Sequence, residues 1–203
     1  MMNEQSLIET ARNGDLDAFN RLVLAYQDIV FSQAYRMMGQ FEAAEDATQK
    51  AFISAFRSLR SFRGGSFRAW LLRIVTNACY DEIRYQKRRP TTPLEPVDQS
   101  DEEMEDMPWM IDPSETPEET TMRAELNDAI QHCLEALPVE FRAVVILIDM
   151  NGLDYTEASI AIGKPVGTVK SRLARARFRM QGCLQGAWEL LPARYRLVRE
   201  AMQ

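Results

Sequence analysis

The sequence has 203 residues, of which 46% are apolar, so it is long enough for one large or two small folded domains. It has no run of about 20 apolar residues, and residues 1–12 lack the pattern of a secretory signal, which argues against a membrane or exported protein. Three widely spaced cysteines and one histidine make neither a disulfide framework nor a zinc site. We therefore expect a reduced cytoplasmic protein without a metal or other cofactor.

The formal net charge of −6 is unevenly distributed along the chain. Residues 91–121 carry 11 acidic and no basic side chains, whereas residues 1–90 and 122–203 carry net charges of +3 and +2. The low overall charge therefore comes from one segment and does not exclude nucleic-acid binding by the rest of the chain.

The first domain, predicted over residues 1–90, shows helical spacing of its apolar residues. This spacing predicts helices over Asp15–Met38, Glu42–Leu59 and Phe67–Arg88. Gly64 and Gly65 predict a loop between the last two, and Pro90 ends the third.

Residues 57–89 of this domain suit single-stranded nucleic acid. They contain nine basic and two acidic side chains, with aromatic residues interleaved. Asn77, Asp81 and Arg84 could bond the edge of an extruded base. Alternatively the aromatic residues form core, which we expect for Trp70 and leave open for Phe62 and Phe67.

Residues 91–121 are predicted to be an acidic, proline-rich, flexible linker. A solvated spacer would explain the charge. However, Met104, Met107, Trp109, Met110 and Ile111 form an apolar cluster that a spacer does not need, so this part is expected to dock on a domain or partner.

The second domain, predicted over residues 122–183, begins with an amphipathic helix that Pro138 ends. Glu140–Met150 follows as a strongly apolar segment, and we favour helix over a buried strand for its run at 144–148. A short helix over Tyr155–Ile162, a turn at Gly163 and a basic helix over Val166–Met180 complete the domain. Both domains, and hence the fold class, are predicted to be all-α.

A short helix, a glycine turn and a basic second helix are typical of a helix-turn-helix. Residues 164–179 contain six basic side chains and no acidic one. One face of the second helix is apolar, and the other presents hydroxyl and guanidinium groups to a DNA groove. The alternative is a solvated basic helix in an RNA-binding or structural bundle.

Residues 184–203 form a C-terminal extension with one apolar helical stripe, in which Pro192 predicts a kink or a new helix. It would pack on its own domain or, alternatively, serve as a docking helix for a regulator or another partner protein.

Three blocks together closely resemble the extracytoplasmic-function (ECF) sigma factors of bacterial RNA polymerase. They are Glu45-Asp46-Ala47-Thr48-Gln49 through Phe52, Phe62-Arg63-Gly64-Gly65-Ser66-Phe67-Arg68-Ala69-Trp70-Leu71 continuing to Arg84, and Gly163-Lys164-Pro165-Val166-Gly167-Thr168-Val169-Lys170-Ser171-Arg172 with Arg175 and Arg177. The resemblance covers about residues 5–183.

The resemblance implies a first domain, sigma region 2, that binds core polymerase and melts and reads the −10 promoter element. It implies a second domain, sigma region 4, that reads the −35 element and binds the polymerase flap. The acidic linker would thread towards the RNA channel, and an anti-sigma factor would be a further partner.

Positions carried over from the family give three sets of candidate residues. The polymerase-facing set is Asp46, Gln49 and Phe52. The −10 set is Phe62, Arg63, Ser66, Phe67, Arg68, Asn77, Asp81, Arg84 and Arg88. The −35 set is Thr168, Lys170, Ser171, Arg172 and Arg175.

Two residues depart from the family pattern: Lys50 replaces a usual acid and Ser159 a usual alanine. The sequence shows no catalytic constellation, so we expect a specificity factor and not an enzyme. The alternatives are a helix-turn-helix regulator that acts without polymerase, which would need a dimer interface, and, from another class, an enzyme that flips bases.

Overall fold

The structure, a computed structural model, describes residues 3–88 and 116–186. Its elements within these ranges are α1 (Glu4–Arg12), α2 (Leu16–Met38), α3 (Phe41–Ser58), a 3₁₀ turn (Leu59–Ser61), α4 (Phe67–Arg88), α5 (Pro117–Glu135), α6 (Val139–Val145), a π-helical turn (Ile146–Met150), α7 (Tyr155–Ile162) and α8 (Val166–Leu184). No β-strand occurs in these ranges, which confirms the all-α prediction. None of the helices described is both long and apolar enough to cross a membrane.

Most predicted helices are present, and the apolar run at 144–148 is helical as favoured, so the strand alternative is wrong. The beginnings of the two domains differ from the prediction. Helix α5 starts at Pro117, within the predicted linker, because proline suits the first helical position, where no backbone N–H bond is needed. Helix α1 was not predicted from the sequence. The remainder of the linker to residue 115, and the extension beyond residue 186, lie outside the described residues.

The core of the first domain depends on the small side chains of α3. Its buried residues, Ala44, Ala47, Ala51 and Ala55, recur at helical spacing and are each 0% exposed. Because alanine occupies little volume, α2 and α4 can both pack closely against this helix. The larger buried side chains of α2 and α4 fill the remaining space, among them Leu22, Val30, Leu71, Leu72 and Val75.

Both ends of α7, the first helix of the helix-turn-helix, are defined by local interactions. The Asp154 carboxylate accepts hydrogen bonds from the backbone N–H groups of Thr156 and Glu157, and Glu157 reciprocates by accepting from Asp154 N–H. At the other end of α7, Gly163 has a φ of 63°, a conformation that glycine adopts readily. The capping box thus fixes where α7 begins, and Gly163 ends the helix and turns the chain towards α8.

The two domains pack against each other through a buried polar group that we call the interdomain cluster: Gln33, Thr76 and Asn151. Gln33 Nε2 donates to Thr76 Oγ1 at 2.6 Å and to the Leu72 carbonyl at 3.0 Å. Asn151 Nδ2, from the second domain, donates to Gln33 Oε1 at 2.8 Å. All three residues of the cluster are buried, and both ends of the Gln33 side-chain amide have hydrogen-bond partners at the domain boundary.

A second contact between the domains forms where α2 ends. Gly39 terminates this helix with a φ of 77°. A Cβ at this position would overlap the carboxylate end of the Glu135 side chain, so glycine here leaves room for that side chain of α5. Arg142 also bridges the boundary, because it donates to the Met37 carbonyl of the first domain and the Glu135 carbonyl of the second.

The cysteines differ from the sequence expectation. Cys133 and Cys183 form a disulfide, with their Cα atoms 5.7 Å apart. The expectation that the cysteines make no disulfide is therefore wrong for this pair: the packing of α5 against α8 joins residues that are 50 positions apart in sequence. Cys79 is a buried free thiol in the first-domain core, as expected.

Candidate functional site

Phe62 and Phe67 flank the glycine loop and point into the core. They are 6% and 3% exposed, and their ring centroids lie 5.6 Å apart. Trp70 contacts both, and Tyr26 packs on Phe67 with centroids 5.4 Å apart. This placement corresponds to the core alternative and does not agree with direct base contact by Phe62 and Phe67, because neither ring is free to stack on a base in this conformation.

The tip of the same loop is exposed. Gly64 and Gly65 have φ values of 93° and 89°, which turn the chain sharply between the two buried rings. Arg63, Ser66 and Arg68 are exposed around the turn. Ser66 Oγ accepts from the N–H of Ala69 at 3.1 Å and so caps the start of α4. The loop thus exposes cationic side chains to solvent, and the packed aromatic rings beneath it support it.

The polar residues predicted on α4 form one exposed face. Asn77, Asp81, Arg84 and Arg88 are all exposed. Arg84 lies 3.5 Å from the Asp81 carboxylate and over the ring of Tyr80. Asn77, Asp81 and Arg88 line a cleft between α3 and α4, which Lys50 and Tyr85 also line. The structure therefore brings together three of these four polar candidates, with an aromatic ring beside them.

Lys50, the departure from the family pattern, joins α3 to α4. Its ammonium group lies 2.8 Å from Glu82 Oε2 and 4.0 Å from Asp46 Oδ2. The hydrogen bond to Glu82 raises the pKa of Lys50. This lysine therefore closes one end of the α3–α4 cleft through an ion pair.

A second groove runs between α2 and α3. It is lined by all three candidates of the polymerase-facing set, Asp46, Gln49 and Phe52. Phe31 and Phe41 are also in its lining, with ring centroids 5.3 Å apart, and Phe41 is 46% exposed. An exposed apolar groove with acidic residues along it suits a partner helix with apolar and basic side chains.

The basic helix α8 carries its candidates on an outward face. Lys170, Ser171 and Arg175 are exposed, and Thr168 and Arg172 are partly exposed. The opposite face is held in the core by Val169, Leu173 and Ala176, which are at most 2% exposed. The helix thus presents cations and hydroxyl groups while its apolar side anchors it.

Two further arginines of α8 have structural contacts that sequence reasoning missed. Arg177 pairs with the Asp149 carboxylate through two hydrogen bonds, and Arg179 lies over the ring of Phe141 at 5.3 Å. For Arg177 a signal was available, because two residues after Arg175 a side chain points to nearly the opposite side of a helix. The contact of Arg179, which the helical pattern placed on the outward face, has no signal in the sequence.

Helix α8 comes within electrostatic range of α4 in this structure. Burial and, to a smaller extent, the negative charge of Glu140 raise the pKa of Tyr80, on α4, to about 12, while the positive charges of Arg172 and Arg84 act in the opposite direction. Arg172, a −35 candidate, is therefore within electrostatic range of the helix that carries the −10 candidates.

Comparisons with protein families match both domains. The family model described as Sigma-70 region 2 matches residues 22–89, and the model described as Sigma-70, region 4 matches residues 127–180. The first match contains α3, the glycine loop and α4, and the second contains the helix-turn-helix.

Two curated relatives match nearly the whole chain. The RNA polymerase sigma-H factor of Pseudomonas aeruginosa is 34% identical, over 90% of this chain and 94% of the relative. The ECF RNA polymerase sigma-E factor of Escherichia coli K12 is 37% identical, over 87% of this chain and 91% of the relative.

Two solved structures share the fold. CnrH in complex with the cytosolic domain of CnrY has a TM-score of 0.64 and 24% identity, covering 90% of this chain and 97% of the solved chain. The sigma factor RpoE of Bartonella quintana, in complex with the anti-sigma factor NepR, has a TM-score of 0.60 and 24% identity, covering 82% and 96%.

Proposed function

Since the chain belongs to the ECF group of the sigma-70 family, whose members recognise promoters for RNA polymerase, we propose that its two domains divide this task between the −10 and −35 elements. The observation that carries the division is the presence of two separate exposed polar faces, one on α4 and one on α8, each on a helix whose other face is anchored in a core.

The first domain would open the DNA and read the −10 element. Arg63 and Arg68 would hold phosphates beside the glycine loop, and Asn77, Asp81 and Arg88 would follow the strand along the α3–α4 cleft. Phe62 and Phe67 would support the loop from inside. Extruding a base costs a few kcal/mol, which stacking on an exposed ring such as Tyr85 is large enough to offset.

The second domain would read the −35 element with α8 in the major groove. Arg172 and Arg175 would contact guanine edges or phosphates, and Thr168, Lys170 and Ser171 would fix the helix on the backbone. Arg177 and Arg179 would hold α8 in place through their contacts with Asp149 and Phe141 at the domain surface.

Core polymerase would bind the α2–α3 groove through Asp46, Gln49 and Phe52, and the flap would bind the second domain. The protein would act in the cytoplasm, as a specificity factor and without catalysis of its own. An anti-sigma factor would be a further partner, in keeping with the ECF resemblance and with the partner named for the Bartonella structure.

Run-off transcription tests this proposal. Purified protein and bacterial core polymerase are supplied with genomic promoter fragments, and the expected result is a set of transcripts that share two upstream motifs. Matched templates with either motif scrambled should lose the transcript. Tight binding of duplex DNA by the protein alone, with no transcript from the cognate polymerase, would instead favour a helix-turn-helix regulator acting without polymerase.

A further inference from the structure

The disulfide joins the two ends of the second domain. Cys133 lies near the end of α5, and Cys183 is the penultimate residue of α8. The 50-position separation between them encloses α6, α7 and nearly all of α8, so one covalent bond closes a loop around the whole helix-turn-helix. Helix α8 is the element that we propose for −35 recognition, and the inference below rests on that proposed function.

The third cysteine, Cys79, differs from the bonded pair in its accessibility and reactivity. Cys79 is 0% exposed, and burial raises its pKa to about 12, so it is held as an unreactive thiol. Of the bonded pair, Cys133 is 3% exposed whereas Cys183 is partly exposed. A dissolved oxidant therefore reaches the Cys183 sulfur more easily than either of the other two.

We propose that Cys133 and Cys183 form a reversible thiol-redox site that controls how firmly α8 is held in the second domain. In a cytoplasmic protein a disulfide is usually a transient, redox-sensing feature. Formation of the bond ties the end of α8 to α5, whereas in the reduced protein this end is held by non-covalent contacts, among them the Arg177–Asp149 ion pair.

We propose a peroxide as the oxidant that converts the two thiols to the disulfide. Hydrogen peroxide is the simplest case. The Cys183 thiolate attacks one peroxide oxygen, becomes a sulfenic acid and releases hydroxide, which takes up the thiol proton as water. The Cys133 sulfur then attacks the Cys183 sulfur, the S–S bond forms and the second oxygen leaves as water. Two thiols lose two electrons, and the peroxide gains them. A dithiol reductant reverses the bond by thiol–disulfide exchange.

We expect the disulfide to affect mainly the C-terminal part of α8. A covalent loop of this length restricts the opened states of the chain more than the folded state, and so disfavours local opening. We expect backbone amides of residues 177–184 to exchange with solvent roughly tenfold more slowly in the oxidised protein. Amides of α2 and α3 should exchange equally in both forms.

The test uses the full chain, reduced with dithiothreitol and then treated with hydrogen peroxide. Peptide mapping should find Cys133 linked to Cys183, and dithiothreitol should restore both thiols. In Cys133→Ser, dimedone should label a sulfenic acid at Cys183, since the resolving thiol is absent. In Cys183→Ser, Cys133 should remain unlabelled. Cys79→Ser is the matched control and should form the 133–183 bond as the wild type does.

Absence of the 133–183 bond after oxidation would overturn the proposal, as would labelling of Cys133 in place of Cys183. Equal hydrogen exchange of residues 177–184 in both redox forms would overturn the proposed effect on α8. These readouts need no polymerase. A chain that forms the bond but supports no transcription in either form would contradict the proposed function and leave the redox chemistry intact.

Discussion

Phe67 and Asn77 lie on the same helix, yet one is buried and the other exposed. Phe67 is part of the aromatic cluster under the glycine loop, whereas Asn77 lines the α3–α4 cleft. The two residues were predicted to share one role, contact with the −10 strand. On the proposed function, their placement would give Phe67 the role of supporting the loop and Asn77 that of contacting the strand.

We predict that Phe67→Ala lowers the free energy of unfolding by about 3–5 kcal/mol, because it removes a buried ring from a packed cluster. Asn77→Ala should leave stability within about 0.5 kcal/mol of wild type and reduce transcription from a promoter with a −10 element. Urea unfolding and run-off transcription measure the two effects. Equal loss of stability in both variants would contradict the assignment.

Tyr80 gives the first domain a pH-dependent contribution to stability. Burial raises its pKa from the usual tyrosine value of 10.0 to about 12. Because the folded protein holds the phenolic proton more tightly than the unfolded chain does, this contribution is complete below pH 10 and is lost as the pH rises from 10 to 12. Buried Cys79, with a pKa also near 12, acts in the same direction.

We predict that the free energy of unfolding falls more steeply with pH in the wild type than in Tyr80→Phe over this interval. The phenylalanine ring keeps the packing and removes the titrating group. Denaturant unfolding at pH 8, 10 and 11 measures the slope. Tyr85→Phe, at an exposed position on the same helix, is the matched control, and a slope that is identical in wild type and Tyr80→Phe would refute the prediction.

At the scale of elements, helical periodicity predicted α2, α3, α4, α7 and α8 well, because each buries a continuous apolar stripe. The same signal could not decide the fate of Phe62, which lies between the 3₁₀ turn and the glycine loop. Phe67, in contrast, continues the buried stripe of Leu71 and Val75, so its spacing did favour burial. Nor could it pair Cys133 with Cys183, since that contact depends on how α5 packs against α8. Helix positions could be predicted locally, whereas contacts between helices needed the three-dimensional structure.

Two arginines of α8, two positions apart, have different proposed roles: one contacts DNA and the other holds the helix in its domain. Arg175 is exposed on the proposed DNA face, whereas Arg177 bonds Asp149. Both changes to alanine remove one positive charge. Differences between these variants therefore report position and not net charge.

We predict that Arg175→Ala weakens promoter binding and lowers the salt dependence of binding by about one phosphate contact, with unchanged stability. Arg177→Ala should instead lower stability by up to about 1 kcal/mol, since it removes a largely exposed ion pair. Salt titrations of binding by the holoenzyme and thermal unfolding measure the two effects. If Arg177→Ala changed the salt dependence as much as Arg175→Ala, the proposed bracing role would be wrong.

At the scale of the whole molecule, the described domains are packed against each other, which bears on the proposed division of the promoter between them. The −10 and −35 elements are about 25 base pairs apart, which at about 3.4 Å per pair is on the order of 85 Å. In the structure, Arg172 on α8 lies within electrostatic range of Tyr80 on α4. If α4 reads the −10 element and α8 the −35 element, as proposed, simultaneous binding would require the domains to separate and the interdomain cluster to break.

Asn151→Ala tests this closed arrangement, because it removes the one hydrogen bond that crosses the cluster from the second domain and leaves Gln33 Oε1 without that donor. Loss of a buried partner costs about 1–3 kcal/mol, which shifts the balance between open and closed forms by about 5- to 150-fold. We predict a larger radius of gyration for Asn151→Ala than for wild type in small-angle X-ray scattering of the free chain. Asn13→Ala, at an exposed position after α1, should match the wild type. An unchanged radius for Asn151→Ala would mean that the apolar packing of α7 on α4, and not the polar cluster, holds the domains together.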